Sequence, residues 1–513
     1  MFEKDAAHER YHRNTMAAER RIAGALRPTT TEQVQAIVRI ANTHKIPLHA
    51  FSTGHDWGFG SSLPNAHDCV ILDLSGMKRV IEFNDALGYV TVEPGVTQQD
   101  LYDYMQARGY EFMVPTTGGG PSCSLIGNAL EKGYGITPVM DHWSGIMRLE
   151  AVLPNGELYR NTFQEFGAGA ADSVYKWKVG PYLDGLFAQG NFGIVTQATI
   201  ALSPRPDVVG QFIAFVDDAH LGQAVEATRR VMERYGSIIG GVNLMNAHRV
   251  LSMVEKKSFW KIKGTRSEYY IHRMMRRRSV PQWSVMVGIY SPAELQHAVA
   301  RGLKKEFAPI SSHTVYLNRW RVNLGKTLFG FLPDWFSLKR TLMAIEHGLD
   351  ALEGVPTEVA LPLAYLKNPH HTPERHLHPD HDGAGLLWYV PIVPTTPELA
   401  VQFAKGVKDI LVEENLEPLI TLSAVSSRIL ATNIPIVFNR DDASEVAHAK
   451  SALKKLMKLS VDLGCFPDRL DIDTMREFYD HATGTCFDLI DTIKNAVDPN
   501  GIINPGRYSR LHN

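Results

Sequence analysis

Cysteine is scarce in this chain of 513 residues: Cys69, Cys123, Cys465 and Cys486 are the whole complement, and no two stand in a CxxC spacing. A disulfide framework is thereby excluded, and the four read as free thiols in a reducing compartment. Long apolar runs are missing too; none approaches the roughly 18 residues that a membrane-spanning helix requires. Neither sign of charge is in excess, with a net charge of -2 and a pI near 6.9, so there is no global electrostatic reason to expect nucleic acid. The basic segment Arg273 to Arg278 reads as a solvated face. Met1 to Arg20 is charged and has no apolar core, which argues against a secretory signal. Ser509-Arg510-Leu511 resembles a peroxisomal address, but His512-Asn513 follow it, and such addresses are read at the very end. A cytoplasmic location is therefore expected. Also lacking are a Gly-x-Ser-x-Gly hydrolase elbow and a strand–GxGxxG–helix unit with an acidic residue about 20 positions on.

What is present begins with size. The length exceeds one ordinary core and implies two domains, and 44% apolar with 21% charged residues is the composition of a soluble globular protein. Glycine is concentrated in one stretch: Pro115-Thr116-Thr117-Gly118-Gly119-Gly120, then Gly127-Asn128, Gly133, Gly135 and Asp141-His142-Trp143. Three consecutive glycines cannot sit in a helix or a packed strand, and each permits positive φ or close backbone approach. The apolar neighbours Leu125, Ile126, Ile136 and Val139 imply that this loop is buried. A buried loop of this kind is a main-chain cradle whose N–H groups can surround a flat or anionic ligand.

In chain order, Val34, Ile37, Val38 and Ala41 recur at helical spacing over residues 30–45, with Thr30 and Gln33 as a capping box. Ile46 to Phe51 reads as a short strand that delivers a first glycine loop, Ser52 to Ser62. Strands follow at 69–74 and 88–93, a helix from about Gln98 to Arg108, then a hairpin about Pro154-Asn155-Gly156 and a strand over 191–202. Ser203-Pro204-Arg205-Pro206 marks a domain boundary. Beyond it, strands at 210–216, 284–290, 386–393 and 434–438 precede helices at 221–235, 293–307, 397–414 and 443–463. That order predicts an α+β domain on a mostly antiparallel sheet. The turn-rich apolar tail from Ala496 to Tyr508 is expected to dock back on the first domain rather than fray.

Six blocks recur in order: Gly54-x-x-x-Gly58-Phe59-Gly60; Glu93-Pro94-Gly95-Val96-Thr97; Gly118-Gly119-Gly120 with Gly127-Asn128; Gly133-x-Gly135-x-Thr137-Pro138-x-x-Asp141-His142-Trp143; Gly180-Pro181-Tyr182-Leu183-Asp184-Gly185-Leu186-Phe187 running to Gly193-Ile194-Val195-Thr196; and Asp498-Pro499-Asn500-Gly501-Ile502-Ile503-x-Pro505-Gly506-Arg507. Together they resemble the vanillyl-alcohol oxidase/p-cresol methylhydroxylase flavoproteins, in their branch that oxidises 4-substituted phenols. The resemblance is dense from 28 to 206, thin from 207 to 380 and clear again at the C-terminus.

This resemblance implies a two-domain α+β fold of the FAD-binding PCMH type: an FAD domain at 1–206 completed by 484–513, and a cap domain at 207–483. It implies FAD as cofactor, with Gly54, His55, Gly58, Phe59 and Gly60 on the pyrophosphate loop. Gly118, Gly119, Gly120, Gly127 and Asn128 then lie along the flavin, Gly193, Ile194 and Val195 touch its other end, and Arg507 sits near its polar edge. A cation there favours a reduced, anionic ring.

The departures bear on the substrate. Phenol-oxidising relatives hold the phenolate with two tyrosines and an arginine, where this chain has Phe59, Asp468 and Arg469. They keep an acid before the triple glycine, where Thr116 stands, expected here as a cofactor-side hydroxyl. Their covalent flavin anchor falls at Gly385-Leu386-Leu387, where no nucleophile exists, so FAD is expected to be held non-covalently. Arg469 and Asp468 are the candidate catalytic residues. His12 reads as a surface residue, and the cluster His370, His371, His376, His378 and His381, irregular and Pro/Asp-rich, reads as a solvated loop rather than a metal site.

The expected function is an FAD-dependent oxidoreductase taking a hydride from an alcohol or a benzylic or allylic C–H, a para-substituted phenol being the inherited substrate. The alternatives are a flavin-binding protein without phenol oxidase turnover, and an oxidase for a carbohydrate-like or cationic alcohol. The expected partners are a small-molecule substrate and a second copy in a homodimer, with no nucleic acid and no membrane.

Overall fold

A computed structural model describes residues 1–329, 346, 348–370, 373–374 and 376–510. The chain divides into two compact units: Met1–Tyr134, Asp141–Pro204 and Leu470–Asn513 form the first, and Gly135–Met140 with Arg205–Arg469 the second. The returning segment of the first unit thus starts at Leu470, ahead of the expected 484, because helix Ile472–Asp480 docks on the first glycine loop through Ile472 N–H to Phe59 O, 3.1 Å.

In the first unit three parallel strands run in the order Ile22–Leu26, Cys69–Asp73, Leu48–Phe51. Helix Thr31–His44 covers them with Val34, Val38 and Ala41, which share a core with Leu48, Leu72 and Ile503. Its start is fixed by Thr30, whose side chain accepts from Gln33 N–H, and Gln33 Oε1 reaches back to Thr29 N–H at 2.8 Å. The predicted Thr30 cap is thus in place, while the return bond from Gln33 falls on the Thr29 N–H instead of that of Thr30. Lys45, at φ 53°, ends the helix. Beside it lies a five-stranded antiparallel sheet in the order Val80–Asn84, Tyr89–Val92, Ile194–Ala201, Ile146–Val152, Leu158–Tyr159. Helix Gln98–Gln106, closed by a Thr97/Asp100 capping box, buries Leu101 and Met105 against that sheet.

The C-terminal tail docks as expected. Ile502 O accepts from Leu48 N–H at 2.7 Å, and Asn504 N–H donates to Leu48 O at 2.8 Å. Lys494 Nζ donates to Asn191 O at 2.6 Å, Ile503 O at 3.0 Å and Asp498 Oδ2 at 2.5 Å. Asp498 in turn accepts from the N–H groups of Ile502 and Ile503.

The second unit is built on an antiparallel sheet in the order Ser311–Asn318, Val208–Val216, Trp283–Ser291, Ile239–Asn246, Thr421–Ala424, Ile429–Phe438, Gly385–Tyr389, with Ile392–Pro394 also paired to Ile429–Phe438. Helices Leu221–Tyr235, Gln296–Phe307, Pro397–Glu413 and Ala443–Leu463 pack on it and on one another. Phe212, Phe307 and Phe403 are among its largest fully buried side chains. Among the described residues no helix is long and apolar enough to cross a membrane. All four cysteines are free thiols, three of them buried.

Candidate functional site

The first glycine loop leaves strand Leu48–Phe51. Gly54, Gly58 and Gly60 take φ of 73°, 81° and 139°, and Ser61 follows at 56°, conformations that favour glycine. Gly58 N–H donates to Thr15 Oγ1 at 2.8 Å and Ser62 Oγ to Tyr11 O at 3.2 Å, so the N-terminal segment props the loop. His55 stacks on Trp57 with centroids 4.9 Å apart, and Phe59 is buried. A Cβ at Gly60 would stand 2.7 Å from Ile472 Cγ2.

The triple-glycine loop is pinned beside it. Gln98 grips Thr117 twice, through Nε2 to Oγ1 at 3.0 Å and through Oε1 from Thr117 N–H at 3.1 Å. Cys123 Sγ meets Gly119 O at 3.0 Å, and a Cβ at Gly119 would strike that sulfur. Gly120 has φ 86°, and Thr116 is buried. Ser124, the cap of helix Leu125–Leu130, ties three blocks together: its N–H donates to Thr53 Oγ1 at 3.2 Å, its Oγ donates to Pro94 O at 2.6 Å and accepts from Gly127 N–H at 2.9 Å. A side chain at Gly127 would run into Ser52 Oγ.

Beyond that helix, His142 Nδ1 lies 2.5 Å from Asn128 Oδ1. Burial pushes the His142 imidazole down to about 4, so it is neutral near pH 7 with its Nδ1–H directed at the amide oxygen. Gln189 N–H donates to Leu130 O at 2.8 Å, which brings in the block ending at Gly193, Ile194 and Val195. Ile194 and Val195 are buried in strand Ile194–Ala201, and a Cβ at Gly193 would meet Val152 O at 2.9 Å. The tail closes the circle with an ion pair between Arg507 Nη2 and Glu131 Oε1, both largely buried. Burial, with Arg507 nearby, lowers His49 to about 3. The sequence offers no signal that Glu131 is the partner of Arg507.

The residues of the six blocks outside 135–140 therefore meet in one unit. Their fit to FAD is tested by two observations. Glycines 60, 119, 127 and 193 occupy points where a Cβ would collide with Ile472, Cys123, Ser52 and Phe187 respectively, so the loops and strands of this region pack closely with no side chain between them. Two buried polar atoms of these segments, Ser61 Oγ and His142 Nε2, have no hydrogen-bond partner among the described residues, and such atoms require one from solvent or ligand. Glycine loops held close by their neighbours, with partnerless polar atoms among them, suit a group bearing donors and acceptors.

Asp468 and Arg469 belong to the second unit, in the half-buried loop after helix Ala443–Leu463, where Asp468 N–H donates to Val390 O at 3.3 Å. Leu386 and Leu387 are buried in strand Gly385–Tyr389. His12 is exposed at the end of helix Lys4–Tyr11, stacked on His8. In the histidine-rich loop His371 lies outside the described residues. His378, Asp380 and His381 come together, with ligand atoms within 4.8 Å of one another. The Asp380 carboxylate there accepts from His378 Nδ1 at 2.5 Å and from His381 N–H at 2.8 Å.

Residues 22–162 match the family described as FAD binding domain. The chain is 29% identical over 503 residues, 97% of its length and 92% of the relative's, to 1'-carboxy-chondrochloren decarboxylase of Chondromyces crocatus. It is 26% identical over 492 residues, 94% of its length and 87% of the relative's, to the flavoprotein subunit of 4-cresol dehydrogenase (hydroxylating) of Pseudomonas putida. The structure of p-cresol methylhydroxylase with substrate bound superposes with a TM-score of 0.87 at 25% identity, covering 100% of this chain and 94% of that one. The cradle and the fold define an FAD-dependent oxidoreductase. Over nearly its whole length the chain is homologous to the flavoprotein subunit of p-cresol methylhydroxylase.

Proposed function

We propose that the loops 54–60 and 116–120, helix Leu125–Leu130, Gly193-Ile194-Val195 and Arg507 hold the FAD, and that Asp468 and Arg469 face the substrate. The observation that carries this reading is Ser124, whose backbone and hydroxyl join the 52–54, 94–97 and 124–127 segments into one surface. When bound, FAD supplies the acceptor for a hydride from an alcohol or a benzylic or allylic C–H. Gly54, Gly58, Gly60 and Gly118 to Gly120 admit close approach of their backbones, and His55 and Phe59 wall the first loop. Arg507 holds positive charge at the polar edge, moderated by Glu131. Thr116 offers a hydroxyl where an acid would offer charge.

In the substrate pocket the Asp468 carboxylate receives the proton of a substrate hydroxyl while the Arg469 guanidinium offsets the charge that develops on oxygen. An aspartate in that place disfavours a phenolate bound beside it, so alcohols rank ahead of phenols as substrates. Acid-bearing substrates are within reach as well, since a relative along nearly the whole chain is named a decarboxylase. With leucine at 386 the flavin is non-covalent, and the protein works as a cytoplasmic homodimer. Acid precipitation tests the attachment: colour released to the supernatant supports it, and a yellow pellet contradicts it.

A further inference from the structure

The histidine-rich loop ahead of strand Gly385–Tyr389 gathers two imidazoles on one buried carboxylate. His378, Asp380 and His381 each offer one ligand atom, and the three atoms lie within 4.8 Å of one another. Asp380 is 3% exposed, His378 is half-buried and His381 reaches the surface. The two imidazoles meet edge to face, with centroids 4.2 Å apart.

The turn that carries them is held by other groups. Asp382 N–H donates to His378 O at 2.9 Å, and Ala384 N–H to Pro379 O at 2.8 Å. The Asp382 carboxylate accepts from His378 N–H at 3.0 Å and from Tyr365 OH at 2.5 Å. Asn368 Nδ2 donates to Asp382 O at 2.9 Å. Gly383 turns the chain at φ 77°, and Pro379 fixes φ between the first histidine and the aspartate. This is a built turn, in place of the solvated loop that its irregular spacing suggests. Ligand side chains on a backbone fixed by other bonds are preorganised.

Two imidazoles and a carboxylate suit zinc and its neighbours in the first transition row, whereas magnesium and calcium call for oxygen ligands throughout. Zinc, with bonds of about 2.0–2.2 Å, sets its ligands about 3.3–3.5 Å apart. His378 Nδ1 and Asp380 Oδ1 stand 2.5 Å apart with a proton between them. They open by about an ångström when the metal replaces that proton, and the exposed His381 ring swings in. Arg440 Nη1 donates to Asp380 O at 3.4 Å, so the ion sits near one fixed cation, which moderates its affinity.

We propose that His378, Asp380 and His381 bind a divalent transition-metal ion of the zinc class, with water completing the coordination sphere. The ligands come from four consecutive residues, so the ion clamps this one turn where it enters strand Gly385–Tyr389. Its role is structural and separate from the flavin chemistry.

The test uses the full chain with its flavin, stripped of metal with EDTA, desalted, and titrated calorimetrically with zinc chloride near neutral pH. Wild type takes up one equivalent more than His381→Ala, whose affinity at this site falls more than about tenfold. His376→Ala, exposed in the same loop, keeps the equivalent. Zinc raises the melting temperature of wild type and of His376→Ala by mass action and leaves that of His381→Ala unmoved, while magnesium moves none of them. In EDTA all three melt together. Equal zinc uptake by wild type and His381→Ala, or loss of the equivalent in His376→Ala as well, overturns the assignment. So does matching uptake of magnesium, or a lower melting point of His381→Ala already in EDTA.

Discussion

His142 and Asn128 are locked together across the glycine cradle, Nδ1 to Oδ1 at 2.5 Å, and both are held to Gly133: Gly133 N–H donates to Asn128 O at 2.9 Å, and His142 N–H to Gly133 O at 3.2 Å. A side chain at Gly133 would strike the Asn128 amide. The pair fixes the tautomer of a buried imidazole whose other nitrogen has no partner among the described residues. Replacing Asn128 by Leu orphans Nδ1 and costs about 1–3 kcal/mol. Flavin occupancy, read from the ratio of visible to ultraviolet absorbance, falls with it. Unchanged occupancy and unchanged melting would remove His142 from the cradle.

Gly127 and Ser52 give a cleaner steric test, because Gly127 is helical and an alanine there would otherwise strengthen helix Leu125–Leu130 by up to about 1 kcal/mol. Gly127→Ala is expected to lower both stability and flavin content through its collision with Ser52 Oγ. Adding Ser52→Gly restores them, giving a coupling of about 0.5–3 kcal/mol in the double-mutant cycle. Strict additivity of the two changes contradicts the contact.

Lys494 clamps the tail to the FAD domain through Asn191, Asp498 and Ile503. Burial lowers its pKa, with the Asp498 charge opposing that shift. Lys494→Met leaves the buried Asp498 unpaired and costs about 3–5 kcal/mol. Proteolysis is predicted to open first at the tail, and flavin is lost in step with it. Cleavage elsewhere first, with the tail retained, would count against this role.

Acid sensitivity follows from buried histidines. His49, His142 and His248 are held down to about 3, 4 and 4, each chiefly by burial. Their unfolded value is about 6.5. The folded state therefore refuses protons that the unfolded chain takes up, and their contribution is fully present above about pH 6.5. It is lost as pH falls towards 4, by roughly 1.4 kcal/mol per pH unit for each histidine. Denaturant melts between pH 7 and 5 should show this slope, reduced by about one proton in His49→Leu. A flat profile contradicts it.

Much of this was legible in the sequence where one physical cause dominates. Helices Leu221–Tyr235 and Ala443–Leu463 stand at the bounds that their periodicity predicts. The glycines of the cradle were readable because positive φ and close approach admit no other residue. Strands Ile239–Asn246 and Ser311–Asn318 were not, since Gly240-Gly241 and Asn243 in one, and Ser311, Ser312 and His313 in the other, obscure the alternation that marks a strand. Partners distant in sequence were equally hidden: nothing local tells that Ile472 closes over Gly60 or that Glu131 meets Arg507.

The most direct measurement is an anaerobic titration of the purified protein with a panel of alcohols, phenols and their carboxylated counterparts, following the visible flavin band. The account predicts that at least one oxidisable compound bleaches the band, and that air restores the colour or an added electron acceptor does. A band that every compound leaves intact, in protein whose flavin is still reduced by light, would contradict it.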